Sequence, residues 1–346
     1  MKKLLIVQSI IPSYRVPLFK DMNHIMGGGV TLFADMAGRE FGVEEGEEFC
    51  FERVAADWKT LGPLLISFKY LVISRQYSTI FHVADFKYLT LWFSLMFNFF
   101  SKKNIYIHGQ GGYKRSGVIP SLVYSLSVGL CDGYICYCNY SLEQLKKKVP
   151  KFMHKKLHVC ENTLYLSASE IDNSSLKDAL MFIGRLRERC GIESLLEAAR
   201  ELNIVVNIVG TGDPEYVNGL KKTYSENNFY GAVYDFSEQQ KIAKNCFAGA
   251  YFGDAGLSVV NYMALGLPVI VHSSFHEHMG PEPSYVKDGL NGLFFCKGSS
   301  ADFKNKIDIV KNDLALRQKL AVGASDTFKK LSTPSMGEKM VEILRS

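Results

Sequence analysis

A glycine-rich turn at residues 253–258 carries the clearest chemical pattern in this sequence. Gly253 and Gly256 allow the backbone to approach a ligand closely and leave its amides free, and Ser258 stands where a helix should begin. Residues 259–264 continue with an apolar face of helical period. Because a helix start carries partial positive charge and N–H groups without partners, an anion is its natural ligand. Taken alone, the segment fits a phosphate site and a tight loop without a ligand equally well.

Three further glycine-containing segments follow apolar runs in the same way, at residues 108–115, 184–185 and 210–214. The carboxyl ends of parallel strands meet at one edge of a sheet, and ligands of open α/β sheets bind there. The recurrence of such segments at several predicted strand exits favours a ligand site built from strand ends.

The elements that must position these segments alternate between strand and helix in both halves of the chain. The first half has predicted strands at 4–8, 30–33, 79–83, 104–108 and 133–138. The second half has them at 179–183, 205–209, 229–234, 248–252 and 268–272. Such alternation predicts parallel sheets covered by helices. We expect two domains, at residues 1–165 and 166–334, and a C-terminal helix at 335–346 that could pack on either half.

Composition limits the class of protein. The net charge is +5, and a basic excess lies at residues 146–156, which fits either a solvated helix end or attraction to an anionic membrane or phosphorylated acceptor. No nucleic-acid module is apparent. The 8 cysteines lack metal-ligand spacing, and His272, His276 and His278 are predicted in a loop. We therefore expect no metal, and a reducing, cytoplasmic location. The N-terminus reads as a strand and the apolar run 88–100 is too short to span a bilayer.

These motifs resemble the retaining group 1 glycosyltransferases, also called family four, which have the GT-B fold of two Rossmann-like, doubly wound α/β domains facing a central cleft. The similar segments of the second half are 182–186, 208–215, 230–234, 256–270 and 286–294. Those of the first half are fewer, at 14–19, 108–111 and 162–164.

The resemblance implies transfer of a sugar from a nucleotide-diphosphate sugar, held by the second domain, to a glycan or lipid-linked acceptor, held by the first, with retention at the anomeric carbon. It implies a place in cell-surface polysaccharide or lipopolysaccharide synthesis, at the inner face of the cytoplasmic membrane. It also implies that no metal or other cofactor is needed. His108 and Arg185 match catalytic positions, although His108 also fits a strand-end histidine with satisfied hydrogen bonds. The expected substrate-binding residues are Arg15, Gly109, Arg189, Gly210, Gly212, Val233, Tyr234, Asp254, Gly256, Leu257, Ser258, Asn261 and Glu282.

Three positions depart from the family pattern. Gly253 and Asn261 stand where the family usually has paired glutamates, as in a branch that lacks the first glutamate, and Cys190 replaces a lysine. We expect Arg189 to supply that lysine's charge, and Glu282 either to contact the donor sugar or to lie on a surface loop. The departures leave open a catalytically inactive protein that binds a nucleotide sugar or a partner enzyme. A sugar-nucleotide epimerase is a further alternative.

Overall fold

The computed structural model describes residues 2–35, 50–101, 103–171 and 177–346. The chain divides into two compact units. The first consists of residues 1–165 together with 334–346, and the second of residues 166–333. No helix within the described ranges is both long and apolar enough to cross a membrane.

The first unit is built on a parallel sheet of seven strands. In chain order, the strands of this unit are β1 (Lys2–Ile10), β2 (Val30–Asp35), β3 (Glu52–Ala55), β4 (Lys59–Leu61), β5 (Leu64–Ile66), β6 (Tyr77–Val83), β7 (Asn104–Gly109), β8 (Gly133–Cys136) and β9 (Leu157–Val159). The sheet order is β3-β2-β1-β6-β7-β8-β9, and β4 pairs with β5 as a separate antiparallel hairpin. The central strands are runs of apolar residues because both of their faces are buried.

Among the described residues before 150, the α-helices of this unit are α1 (Val16–Ile25), α2 (Phe68–Ile73), α3 (Leu89–Ser101), α4 (Val118–Leu130) and α5 (Asn139–Lys146). One buried cluster packs α1 against the sheet, and another packs α2, α3 and α4 against the sheet. The connections from β6 through α3 to β7, and from β7 through α4 to β8, advance in the same direction along the sheet. Right-handed crossovers therefore place α3 and α4 side by side on one face, where they pack against each other.

The second unit has a parallel sheet of six strands in the order β12-β11-β10-β13-β14-β15. The strands are β10 (Ala179–Ile183), β11 (Val205–Val209), β12 (Asn228–Gly231), β13 (Cys246–Ala250), β14 (Val269–His272) and β15 (Gly292–Phe295). Its helices are α6 (Ile192–Glu201), α7 (Pro214–Thr223), α8 (Phe236–Ala243), α9 (Ser258–Ala264), α10 (Ser300–Asn312) and α11 (Leu314–Ser332). The strand order runs outward in both directions from β10 and β13, which is the doubly wound arrangement.

The last helix, α12 (Met336–Arg345), packs against α1 of the first unit. Ser335 begins it with a capping box, in which its side chain accepts from the Glu338 amide and the Glu338 carboxylate accepts from the Ser335 amide. Asp21 accepts hydrogen bonds from Ser335 Oγ at 2.6 Å and from the Tyr165 hydroxyl at 2.7 Å. The apolar face of α12 thus completes the core of the first unit.

Several predicted boundaries are wrong in detail. The strand predicted to reach residue 234 ends at Gly231, which has a positive φ of 73°, so residues 232–235 form a loop. His272 is the last residue of β14 and is buried, which agrees with the strand predicted at 268–272 and contradicts the placement of this histidine in a loop. The basic segment contains the end of α5 and then a separate 3-10 helix at Lys151–Lys156, because Pro150 interrupts the chain between them.

Candidate functional site

A pocket of about 360 Å³ lies at the carboxyl ends of β6 and β7 in the first unit. Its lining combines aromatic rings, such as Tyr113 and Tyr137, with the charged side chains of Asp85, Lys114 and Arg115. Aromatic faces pack against sugar rings, and carboxylates and cations bind hydroxyl and phosphate groups. The pocket therefore combines ring faces that can pack against a sugar with charged groups of both signs that can bind hydroxyl or phosphate groups.

His108 reaches this pocket from the end of β7. Its ring lies against Phe81 and Tyr137, with centroids 5.3 and 4.5 Å apart, and its residue is only 3% exposed. Nε2 is buried and has no hydrogen-bond partner among the described residues. Burial, and secondarily the charge of Arg15, hold the pKa of His108 well below its usual value. A neutral imidazole with a free nitrogen can make a hydrogen bond to a bound ligand.

Arg15 lies beside His108 and is 8% exposed. Its Nη2 donates to Asn162 Oδ1 at 2.5 Å, and its guanidinium carbon lies 5.8 Å from the centre of the Tyr137 ring. Within the described part of the chain, no carboxylate forms an ion pair with it. A buried charge without a counterion is unfavourable, so this guanidinium is suited to an anionic ligand. Gly109 is explained by packing, since a Cβ there would lie 2.3 Å from the Cβ of Ala84.

In the second unit, the turn at residues 253–258 packs on the chain that precedes α6. The amides of Gly253 and Asp254 donate to the carbonyls of Cys190 and Arg189 at 3.0 and 3.1 Å. A Cβ on Gly253 would lie 2.5 Å from the Arg189 carbonyl oxygen. This backbone therefore has no room for a glutamate at position 253, which accounts for the first departure from the family pattern.

The next three amides of the turn are available to a ligand. No protein acceptor is found in the described residues for the amides of Gly256, Leu257 and Ser258, and no side chain caps α9, which begins at Ser258. The nearest atoms to a Cβ placed on Gly256 would be 3.6–3.9 Å away, so the turn has room for a methyl group in ordinary van der Waals contact with the loop at residues 279–282. Three adjacent N–H groups without a protein acceptor suit a phosphate.

Glu282 lies against the same turn, although it is distant in sequence. Its side chain is buried, and its Oε2 lies 3.9 Å from the position of a Cβ on Gly256. The loop that carries it is fixed by the Met279 amide, which donates to the Ala255 carbonyl at 2.8 Å. The alternative that Glu282 is a surface carboxylate is wrong, because the residue is only 3% exposed.

Asp254 is held by cations of the protein rather than left open. Its carboxylate accepts from Arg189 Nε at 2.8 Å and lies 3.4 Å from Lys297 Nζ. Burial alone would raise the pKa of Asp254, but the bond from Arg189 and the charge of Lys297 hold it below the usual value. The charge of Arg189 is therefore compensated within the turn. Cys190 is fully buried and its pKa is raised by desolvation, so it supplies no charge.

Two stacked histidines support this turn from below. The rings of His272 and His278 are parallel within 9°, with centroids 3.7 Å apart. His278 accepts from the Ala255 amide at Nδ1 and donates from Nε2 to the His272 carbonyl. Desolvation is the main reason that the pKa falls to about 4 for His272 and about 3 for His278. Neither this pair nor any other cluster in the described residues brings together three metal-ligating side chains.

A chain of side-chain amides connects α9 to the loop after β12. Asn261 Nδ2 donates to Gln239 Oε1 at 2.9 Å, and Gln239 Nε2 donates to the Val233 carbonyl at 2.7 Å. Asn261 Oδ1 is buried and finds no partner among the described residues. Tyr234, the next residue in that loop, is exposed. The sequence did not identify Gln239, which links the two predicted nucleotide contacts, or Lys297, which neutralises Asp254.

The remaining predicted residues lie at neighbouring strand exits. Arg185 follows β10 and is exposed. A Cβ on Gly210 would lie 1.8 Å from the Gly184 carbonyl oxygen, and one on Gly212 would lie 2.0 Å from the Leu186 carbonyl oxygen. Close packing of the exits of β10 and β11 explains both glycines, and contact of either with substrate stays a prediction.

Part of the chain matches a known protein family. Residues 169–326, which contain the turn and Glu282, match the family described as glycosyl transferases, group 1. Comparison with curated protein sequences finds no significant match.

Many solved structures are similar to this protein, and several of them match over nearly the whole chain. HepE from Anabaena, in complex with UDP, has a TM-score of 0.75 at 17% identity and covers 100% of both chains; it was also solved with UDP-glucose. A glycosyltransferase from Rickettsia africae has a TM-score of 0.76 at 14% identity, covering 99% of this chain and 97% of its own. The lipopolysaccharide outer core galactosyltransferase WaaB has 0.66 at 13% identity, covering 99% of each.

At these identities the similarity concerns the fold, and the predicted pair of Rossmann-like α/β domains is confirmed. Residues 169–326 match the group 1 glycosyl transferases, and they do so within a chain that has the GT-B fold of glycosyltransferases.

Proposed function

We propose that this protein is a retaining glycosyltransferase. It moves a hexosyl or N-acetylhexosaminyl group from a nucleotide-diphosphate sugar to a glycan or lipid-linked acceptor, in the assembly of a cell-surface polysaccharide or lipopolysaccharide. The observation that carries the proposal is the set of three available amides at Gly256, Leu257 and Ser258, with a buried carboxylate beside them, inside the segment that matches the family. HepE binds UDP and UDP-glucose, and WaaB acts on lipopolysaccharide.

On the donor side, the three amides bind the diphosphate and Arg185 adds a guanidinium whose fork matches phosphate oxygens. Glu282 accepts hydrogen bonds from hydroxyls of the donor sugar, which replaces the contact that Gly253 has no side chain to make. Asn261 holds a ribose hydroxyl through its free Oδ1, and Val233 and Tyr234 contact the base. The dipoles and positive charges of these groups are in place before the reaction. They therefore stabilise the leaving diphosphate without a metal.

On the acceptor side, the pocket of the first unit holds the sugar that receives the group. His108 is neutral because of its burial, so it acts as a hydrogen-bond partner of the transferred sugar and not as an acid near neutral pH. Arg15 binds negative charge in the substrate, because it has no carboxylate partner of its own within the described residues. We place this work in the cytoplasm, at the inner face of the membrane.

A panel of UDP and GDP sugars, assayed for hydrolysis and for transfer to glycan acceptors, tests the proposal. We expect Arg185→Ala to lower turnover on the order of 100-fold, the usual effect of losing one preorganised charge-stabilising group. The matched control is Arg200→Ala, which removes an exposed arginine paired with Glu226 in the same unit and should leave turnover unchanged. If Arg185→Ala turns over at nearly the native rate, Arg185 does not belong to the diphosphate site.

One observation favours a second candidate, a protein that binds the nucleotide sugar without transferring it. The backbone around Gly253 excludes a glutamate, and Asn261 and Cys190 are uncharged where the family usually has charged groups. Donor binding without turnover, with each acceptor class present, would support this candidate. Donor conversion in the absence of any acceptor would instead indicate an epimerase.

A further inference from the structure

The outward face of α4 is unusually apolar for a helix in contact with water. Val118, Ile119, Leu122 and Leu126 follow one another at helical spacing, and their exposed fractions range from 84% at Val118 to 50% at Leu126. Their spacing places them on one side of the helix, opposite the buried Tyr124 and Val128. An apolar stripe on both sides of a surface helix indicates that the outer side meets something other than water.

The neighbouring helix α3 extends this surface. Met96, Phe97 and Phe100 are exposed near its end, with Phe100 at 80%. The helices α3 and α4 lie side by side on the same face of the sheet, and each of them has exposed apolar side chains. We call these seven side chains the α3–α4 surface.

Lysines border the α3–α4 surface. The basic segment runs along α4: Ser125 Oγ donates to the Lys148 carbonyl at 3.0 Å, and Lys156 Nζ donates to the carbonyls of Gly129 and Cys131 at 2.8 and 2.7 Å. Lys151 and Lys155 on the same segment are exposed, and so is Phe152. This segment is therefore more than a solvated helix end, because it lies beside the exposed apolar side of α4.

We propose that the α3–α4 surface, with its border of lysines, binds an anionic lipid bilayer. Apolar side chains that enter the headgroup region, surrounded by lysines that meet acidic lipids, are the composition of interfacial membrane-binding elements. An interface with another protein would instead be depleted of lysine. The absence of acidic residues among the exposed side chains of α4 fits the same charge complementarity.

The position of the α3–α4 surface also bears on the identity of the acceptor, an inference that rests on the proposed function. Lys114 and Arg115 line the pocket of the first unit and stand directly before α4 in the chain. Docking through α4 brings the mouth of the pocket to the level of the lipid headgroups. The acceptor is then a lipid-linked glycan whose phosphate meets these two cations while its lipid stays in the membrane.

Cosedimentation of the full chain with vesicles, without nucleotide, tests the proposal. We expect binding to vesicles of phosphatidylcholine with 30% phosphatidylglycerol and little binding to phosphatidylcholine alone. Leu122→Gln should weaken binding about tenfold. Its control, Val322→Gln, replaces an exposed apolar residue on α11 of the other unit and should have no effect.

A double variant, Lys151→Gln with Lys155→Gln, tests the border. It should weaken binding about fivefold for each lysine, since one basic residue near an anionic surface contributes about 1 kcal/mol. The control pair is Lys221→Gln with Lys222→Gln on α7.

No binding to the anionic vesicles, equal binding to neutral ones, or equal losses in the controls would overturn the proposal. So would a dimer in lipid-free solution that Leu122→Gln dissociates, because a second copy would then cover the surface. Thermal shift with UDP on the same variants keeps the two proposals separate. Vesicle binding without any transferase activity refutes the function alone, and activity without vesicle binding refutes the surface alone.

Discussion

Replacing Gly256 by alanine tests the turn at residues 253–258, because the protein has room for the methyl group but a bound diphosphate does not. The closest atoms to the added Cβ would be Gly280 N at 3.6 Å, Met279 Cβ at 3.8 Å and Glu282 Oε2 at 3.9 Å, which are ordinary van der Waals distances. Gly256 does not have a positive φ. The substitution should therefore leave folding intact or stabilise it by about 0.4–1 kcal/mol, through the unfolded chain.

Ligand binding should respond in the opposite direction. We expect a phosphate that accepts from the amides of Leu257 and Ser258 to be crowded by a methyl group on the adjacent Gly256. Losing one hydrogen bond to a charged group costs about 1.5–3 kcal/mol, so we expect the dissociation constant of UDP or GDP to rise about 10- to 150-fold. Isothermal titration calorimetry measures this change, and the thermal unfolding midpoint reports the fold of the same variant.

Two other glycines provide the controls. Gly219 is an exposed helical glycine with nothing within 4 Å of an added Cβ, so Gly219→Ala should be stabilising and leave binding unchanged. Gly253→Ala would place its Cβ 2.5 Å from the Arg189 oxygen and should destabilise by about 1–3 kcal/mol. Native affinity in Gly256→Ala would refute the diphosphate site, and a loss of stability like that of Gly253→Ala would show that position 256 has no room for a methyl group.

Acid should weaken the second unit, because the pKa values of His272 and His278, about 4 and 3, lie below the ordinary value of 6.5. Their contribution to stability is complete above pH 6.5 and is lost as the pH falls toward these two pKa values. At pH 5 the loss amounts to about 2 kcal/mol for each histidine. Urea unfolding at a series of pH values measures it. Gln239→Leu should cost about 1–2 kcal/mol of stability and weaken nucleotide binding, by calorimetry, since it breaks both amide hydrogen bonds. Arg15→Met should lower turnover on anionic acceptors and change the thermal midpoint only slightly, because loss of the bond to Asn162 is offset by removal of a buried charge that has no carboxylate partner among the described residues.

Each of these has its own control or contrary outcome. His276 is exposed, so His276→Gln should keep the full acid response, whereas His278→Gln should reduce it. Nucleotide affinity unchanged in Gln239→Leu would mean that Val233 needs no positioning. A large drop in midpoint for Arg15→Met would show that the guanidinium serves the fold.

The sequence predicted most of the central strands of the two sheets, for a physical reason. Strands buried on both faces are continuous apolar runs, so β7 and β10 could be recognised without the structure. The strands β3 and β4 were not predicted, because their side chains are largely exposed and carry no apolar pattern. The apolar residues of α4 could be read from the sequence, but their exposure could not, since apolarity ordinarily indicates burial.

In the candidate site, the local features could be predicted from the sequence and the partners from distant segments could not. The glycines and the helix start are local, and their spacing alone indicated a phosphate site. The partners that complete the site are not local: Lys297 reaches Asp254 from beyond β15, and Glu282 reaches Gly256 from another loop. The reason for Gly253 is likewise a neighbouring backbone, that of Arg189 and Cys190, which no pattern in the turn itself reveals.

The packing of α12 has a consequence for the order in which the protein folds during synthesis. Met336, Met340 and Val341 belong to the same buried cluster as Leu4 and Phe19, yet they leave the ribosome after every residue of the second unit. The second unit can therefore complete its core while the nascent first unit still exposes the apolar groove beside α1. Until α12 arrives, that groove is open to chaperones or to aggregation, so a stop codon just before residue 334 should harm the first unit and spare the second.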